Sequence, residues 1–382
     1  KSSLMREFER VTSLEYKDIG SHLLGDRIPI GFFCPYVPEE LIHAAGALPF
    51  RLMGPPARMS HVQAHLQPGC CHLVKSSLEV FLRGELDFLK GIIFSHTCDT
   101  MQGLSDIWAF QKRLPLQFNL MMPTNLNSET SRPYWKAEIE RFKGFLETNI
   151  GEVTPQNLTT AIQLFNRIRK NIQEFYQLRR TLPDLISEAD FANMIRAQYL
   201  MDRNQYHLLL SELLDLLSHA EKKEGHLVPI YLAGNMVHSA PYFSLIEEAG
   251  GTVVSDDLCS GARFLRLMTR EDIDPIEALT QRYFSSFLCP TKHGGSNDHI
   301  ETLIQEVEGA GATGVIFLFY KYCESHYFDY PDLKTALEAK SIPTLLLEVD
   351  DPATSQGQLK IRIQAFIEML SPFKISDFGM RK

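Results

Sequence analysis

Two short apolar runs constrain this chain more than anything else in it. Gly91-Ile92-Ile93-Phe94-Ser95 is followed shortly by Cys98, and Gly314-Val315-Ile316-Phe317-Leu318-Phe319 by Cys323. Each run has the length of one strand and is apolar on both of its alternating faces, so both faces must be covered. A sheet covered on both sides is built from parallel strands, and parallel strands need crossover connections. The flanking sequence supplies them. Residues 28–34 read as a buried strand, 38–46 as a helix and 48–53 as a second strand. Pro38 suits a first helical turn and Gly46 a C-terminal stop, while Glu39 and Glu40 complement the positive end of the helix dipole. Helices over 73–82 and 103–112 and a strand over 116–121 complete this unit.

From 133 to 223 the period changes. Leu158, Ile162, Phe165 and Ile168 fall at helical spacing, and no strand signal occurs. The alternation resumes at 228–233. It continues with helix 241–249, strand 252–255, helices 275–287 and 298–308, strand 314–319, helix 330–339, strand 343–348 and helix 358–370. The predicted fold is α/β: two Rossmann-like parallel-sheet domains related by a pseudo-repeat, with additional helical segments. The expected boundaries are a helical arm over 1–27, a first α/β domain over 28–132, a helical segment over 133–225 and a second α/β domain over 226–382. A length of 382 residues, with 44% hydrophobic and 22% charged side chains, fits several such units.

A net charge of −9 argues against a nucleic-acid partner, which needs a basic face. No apolar run is long enough to cross a bilayer, so no membrane partner is expected. The first residues lack the apolar core of a signal peptide and no initiator Met precedes them, so a trimmed start and a cytoplasmic location are expected. Glycine-rich phosphate loops are absent, which argues against ATP binding by this chain.

Seven cysteines occur, at 34, 70, 71, 98, 259, 289 and 323, and none forms a Cys-x-x-Cys pair. Any metal site must therefore be assembled from distant segments. Ligands of doubly wound sheets collect beyond the carboxyl ends of the strands. Cys98, Cys259 and Cys323 fall just after predicted strands. Cys70, Cys71 and Cys289 fall at helix entries or ends near the same edge, where helix N-termini favour thiolates. The alternative for each cysteine taken alone is ordinary core packing. Sulfur-rich donors without matching histidines favour iron–sulfur clusters. Six thiolates fit one cluster with two bystanders, or two clusters with three thiolates each. Cys34 also ends its strand, and a structural role beside the site is expected for it.

His96 and Lys321 stand close before Cys98 and Cys323, and Glu324 and His326 close after Cys323. They are placed to donate protons or hydrogen bonds near the sulfurs; the alternative is that they only cap turns. The loop Lys292-His293-Gly294-Gly295 is placed to shape access to Cys289.

The stretch Phe33-Cys34-Pro35-Tyr36-Val37-Pro38-Glu39-Glu40-Leu41-Ile42-His43-Ala44-Ala45-Gly46, followed by Cys70-Cys71, Cys98-Asp99 and Cys323, resembles the 2-hydroxyacyl-CoA dehydratase and benzoyl-CoA reductase family. The resemblance implies one [4Fe-4S] cluster on Cys71, Cys98 and Cys323. The further Cys70, Cys259 and Cys289 make the chain similar to the double-cubane branch, whose [8Fe-9S] cluster joins two [4Fe-4S] cubanes through a bridging sulfide on six cysteines. That branch implies low-potential electrons from an ATP-dependent iron–sulfur reductase, a small-molecule substrate and a homodimer. The rival implications are a 2-hydroxyacyl-CoA dehydratase subunit with one [4Fe-4S] cluster and a non-catalytic iron–sulfur electron-storage protein.

Overall fold

The apolar runs do form parallel sheets. In the computed structural model all residues are described except 1, 24, 26, 221–226, 237–238, 286–288, 294–295, 351–355 and 372–382. Helices α1 (Ser2–Ser13) and α2 (Tyr16–His22) precede β1 (Ile28–Phe32), α3 (Glu39–Ala44) and β2 (Ala47–Arg51). Then come α4 (His72–Leu82), β3 (Gly91–Ser95), α5 (Asp99–Gln111) and β4 (Leu116–Leu120). The helical stretch holds α6 (Ser131–Asn149), α7 (Pro155–Thr181), α8 (Glu188–Ala197) and α9 (Arg203–Leu217). The second alternation runs β5 (Val228–Gly234), α10 (Ala240–Glu248), β6 (Gly251–Asp257), α11 (Ala262–Leu265), α12 (Pro275–Ser285) and α13 (Ser296–Gly309). It ends with β7 (Gly314–Tyr320), α14 (Glu324–Ala339), β8 (Thr344–Val349) and α15 (Gln356–Leu370).

The first sheet has the order β2-β1-β3-β4 and the second β6-β5-β7-β8, with every pairing parallel. One strand order used twice is the expected pseudo-repeat. All residues of β3 and β7 are buried, as their unbroken apolar pattern requires. In each sheet the connections reverse direction between the two central strands. The first such switch point lies between β1 and β3 and the second between β5 and β7, the positions where doubly wound sheets bind ligands beyond the carboxyl ends of their strands.

Several elements differ from the reading of the sequence. The N-terminal arm is two helices, broken at Leu14-Glu15. Helix α5 starts at Asp99 rather than 103, because Cys98 takes the extended N-cap conformation. Helix α14 starts at Glu324 rather than 330, and Pro331 lies inside it. A proline there misses one backbone hydrogen bond, which reads from sequence as a start. Residues 286–287 of the expected helix 275–287, and Gly294 and Gly295, lie outside the described residues. Glu39 and Glu40 do more than complement a dipole. Glu39 pairs with Arg203 at 2.6 Å, and buried Glu40 pairs with buried Arg169, which joins α3 to the helical stretch.

The largest core runs through both units, from Phe8 and Leu48 to Leu232 and Ile367. A second core covers one face of the first sheet. It takes Phe264, Leu279, Tyr283 and Cys289 from the second half of the chain. The Tyr283 hydroxyl donates to the Pro123 carbonyl at 2.9 Å. The backbone of His293 pairs with Thr124 and Leu126 at 2.8 and 2.9 Å. This crossing brings Cys289 onto the first unit.

Candidate metal centre

Cys71, Cys98 and Cys323 are the N-cap residues of α4, α5 and α14. Each is held by its helix entry at the carboxyl edge of a sheet. Their side chains form no cap bond of the usual hydroxyl or carboxylate kind. Cys98 lies just beyond β3 and Cys323 just beyond β7, so each flanks a switch point. Burial raises the Cys71 pKa to about 11, while the Val74 and Leu73 amides pull it down and the neighbouring Cys98 and Cys70 charges push it up. Burial also raises the Cys323 thiol, and the charges of Cys71, Cys259 and Cys98 add to that. Cys71, Cys98 and Cys323, which come from distant parts of the chain, all pack against the largest core.

Cys323 is positioned by Asn235, which the sequence reading missed, and by His326, which it named. Asn235, buried one residue past β5, donates through Nδ2 to the Cys323 sulfur at 3.0 Å. Its Oδ1 accepts from the Tyr320 amide at 2.6 Å. His326 faces the Gly234 carbonyl with Nε2 at 3.0 Å and Asn235 Nδ2 with Nδ1 at 3.0 Å. The network therefore places the ring proton on Nε2 and makes Nδ1 an acceptor. Burial, helped by the Arg263 charge, lowers the His326 pKa to about 3. His326 is a neutral positioning residue that aims Asn235. Tyr322, just before Cys323, sits at φ 65°, a conformation costly for a side-chain-bearing residue.

A second neighbourhood adjoins the first. Cys259 follows β6, and Arg263 Nη1 donates to its sulfur at 3.1 Å. Asp257 grips Arg263 through two bonds of 2.9 Å. Burial raises the Cys259 thiol, the Arg263 charge opposes this, and Cys289 adds to it. Burial pushes Cys34 up to about 12, with Cys289 and Cys259 contributing and Arg51 opposing. The Cys289 sulfur also lies 3.2 Å from the Thr291 hydroxyl. Cys70 is buried next to Cys71, and its charge acts on the Cys71 thiol. Burial raises the Cys70 pKa, and Lys75 is the charge that lowers it.

The remaining candidates stand at the rim. His96 is half-buried, with Nδ1 3.4 Å from Gln102 Nε2. Lys321 and Glu324 are exposed, and among the described residues neither side chain hydrogen-bonds a cysteine sulfur. Lys292 Nζ lies 5.4 Å from the centre of the Tyr36 ring and 3.2 Å from the Pro123 carbonyl.

Among the described residues no three His, Cys, Asp or Glu side chains converge tightly enough to hold a single metal ion. A polynuclear cluster takes its thiolates at separate irons and needs no such convergence. The donor set is sulfur, largely buried, and served by helix amides and a guanidinium. That chemistry fits an anionic iron–sulfur group. No helix among the described residues is long and apolar enough to cross a membrane.

The family model described as 2-hydroxyglutaryl-CoA dehydratase, D-component, matches residues 34–370. The chain is 28% identical over 379 residues to (R)-2-hydroxyglutaryl-CoA dehydratase subunit beta of Acidaminococcus fermentans, covering 97% of this chain and 99% of that protein. It is 25% identical over 342 residues to (R)-phenyllactyl-CoA dehydratase beta subunit of Clostridium sporogenes, covering 89% and 91%. It is 27% identical over 346 residues to one of the benzoyl-CoA reductase subunits of Thauera aromatica, covering 88% of each.

Proposed function

The chain belongs to the 2-hydroxyglutaryl-CoA dehydratase D-component family, and on that premise we propose that it is an iron–sulfur reductase carrying a double-cubane [8Fe-9S] cluster. The observation that carries this reading is the pair of adjoining sulfur neighbourhoods, joined at the Gly234 carbonyl, which accepts from Arg263 Nη2 at 3.1 Å and faces His326 Nε2 at 3.0 Å. A single-cubane subunit has use for one of them. Bound there, the cluster would supply low-potential electrons to a small molecule with a multiple bond, such as acetylene, or to a nitrogen compound.

The chain's own groups divide the remaining work. Cys71, Cys98 and Cys323 would hold one half, with the amides of α4 and α5 favouring anionic sulfur. Cys259 and Cys289 would belong to the other half. Asn235 and Arg263 donate hydrogen bonds to Cys323 and Cys259, which favours their anionic forms. His96, Lys321 and Glu324 at the rim are the candidate proton donors. The electrons would come from an ATP-dependent iron–sulfur reductase partner, and the working form would be a homodimer.

The names of the relatives favour a second reading, a 2-hydroxyacyl-CoA dehydratase subunit with one [4Fe-4S] cluster. Iron and acid-labile sulfide per chain, measured after anaerobic purification, separate the two. About eight irons supports the double cubane and about four the dehydratase. Turnover of acetylene with reductase and ATP is expected under the first reading.

A further inference from the structure

The second sulfur neighbourhood contains a guanidinium that packs over the Tyr199 ring at 4.7 Å and that no carboxylate pairs with among the described residues. Arg51, the last residue of β2, is 0% exposed. Its Nε donates to the Phe33 carbonyl at 2.9 Å and its Nη2 to the Cys259 carbonyl at 3.1 Å. One guanidinium thus ties the segment that carries Cys34 to the segment that carries Cys259. Its Nη1 has no hydrogen-bond partner, and no carboxylate pairs with it among the described residues. A buried guanidinium without an anion is strongly disfavoured. The sulfurs that its charge acts on are those of Cys34 and Cys259.

A second orphan points the same way. Tyr36 is buried and its hydroxyl has no hydrogen-bond partner among the described residues. Cys34 and Cys289 pack into one core with Tyr36 and Tyr283 beneath Lys292. Cys70 belongs to neither core that holds the other six cysteines.

We infer that Cys34, together with Cys259 and Cys289, forms the second three-sulfur set, and that Cys70 stands outside it. Resting on the double-cubane reading above, this inference deepens it by exchanging one ligand. Three thiolates there would give Arg51 its missing counter-charge. An anionic, acceptor-rich sulfur group held by them would also take up the free Nη1 and the Tyr36 hydroxyl.

The test compares Cys34→Ser, Cys34→Ala and Cys70→Ser in the full chain, purified anaerobically and checked for folding by circular dichroism. Iron per chain is read, together with the electron paramagnetic resonance spectrum of the reduced protein. The unsubstituted chain is expected to hold about eight irons, both Cys34 variants about four, and Cys70→Ser about eight. Cys34 variants that keep the full iron content, or a Cys70→Ser chain that loses half of it, overturn the inference and leave the double-cubane reading intact. About four irons in the unsubstituted chain overturns that parent reading, and this inference with it. Should the Cys34 variants fail to fold, iron-edge anomalous scattering from crystals of the loaded, unsubstituted protein decides the matter. Cys34 sulfur bonded to iron supports the inference, and Cys70 sulfur in its place overturns it.

Discussion

Replacing Glu188 by alanine is expected to destabilise the protein by about 5 kcal/mol, through a buried hub that holds β6 against the helical stretch. Glu188 opens α8, and its Oε1 pairs with fully buried Arg179 of α7. The same oxygen accepts from the Thr252 hydroxyl at 2.8 Å and from the Val253 amide at 3.0 Å. Arg179 in turn donates to the Val253 carbonyl at 3.0 Å and lies 4.2 Å from the centre of the Phe191 ring. Removing one partner of a buried ion pair costs about 3–5 kcal/mol, because the other charge is left uncompensated. An orphaned buried amide adds about 1–3 kcal/mol, and the two overlap because both groups used one oxygen. At a urea m-value of about 3 kcal/mol/M, the midpoint would fall by roughly 1.5 M. Unfolding followed by circular dichroism at 222 nm measures it. The double variant Arg179→Met with Glu188→Leu removes both charges and should lose less than half as much. The reasoning is refuted if Glu188→Ala shifts stability by less than about 1 kcal/mol, or if the double variant loses the sum of the two single losses.

Two further perturbations test the frame of the site. Gly234 ends β5 at φ 143°, and a Cβ there would lie 2.2 Å from the Leu318 carbonyl oxygen. Gly234→Ala should cost about 3 kcal/mol or more and displace Asn235 and His326 with it; thermal unfolding and iron content report both effects. Glu79 accepts hydrogen bonds from the amides of Ser60, His61 and Val62, which pins the loop leading to Cys70-Cys71. Burial raises its pKa, but these bonds and those from the His61 and Ser60 side chains outweigh it and bring the value down to about 2. A depressed folded-state pKa stabilises above the unfolded value near 4.5 and is lost as pH falls towards about 2. Glu79→Gln should therefore flatten the acid limb of the stability profile in that window. An unchanged slope in acid urea titrations would contradict this.

The fold was legible in the sequence because its determinants are local. Gly91–Phe94 and Gly314–Phe319 are apolar on both alternating faces over one strand length, the pattern of a strand covered on both sides. The place of Cys98 or Cys323 relative to a strand end is local too, so their position at the ligand edge follows from counting residues. What shares a neighbourhood with what is not local. Cys289 reaches Cys34 because the chain after α12 crosses onto the first sheet, a packing choice that no spacing within 275–293 reveals. Glu39 and Glu40 read as dipole partners of a short helix, yet their cations come from α7 and α9, far along the chain. Arg51 lies within the predicted strand 48–53, and nothing in its spacing shows that it is fully buried with no carboxylate pairing with it among the described residues. Local apolar pattern settled the two sheets and the edge where the cysteines gather. Packing between distant segments brought Cys289 beside Cys34 and gave Glu39, Glu40 and Arg179 their partners, because the energy of a buried group depends on its neighbours in space and not on those in sequence.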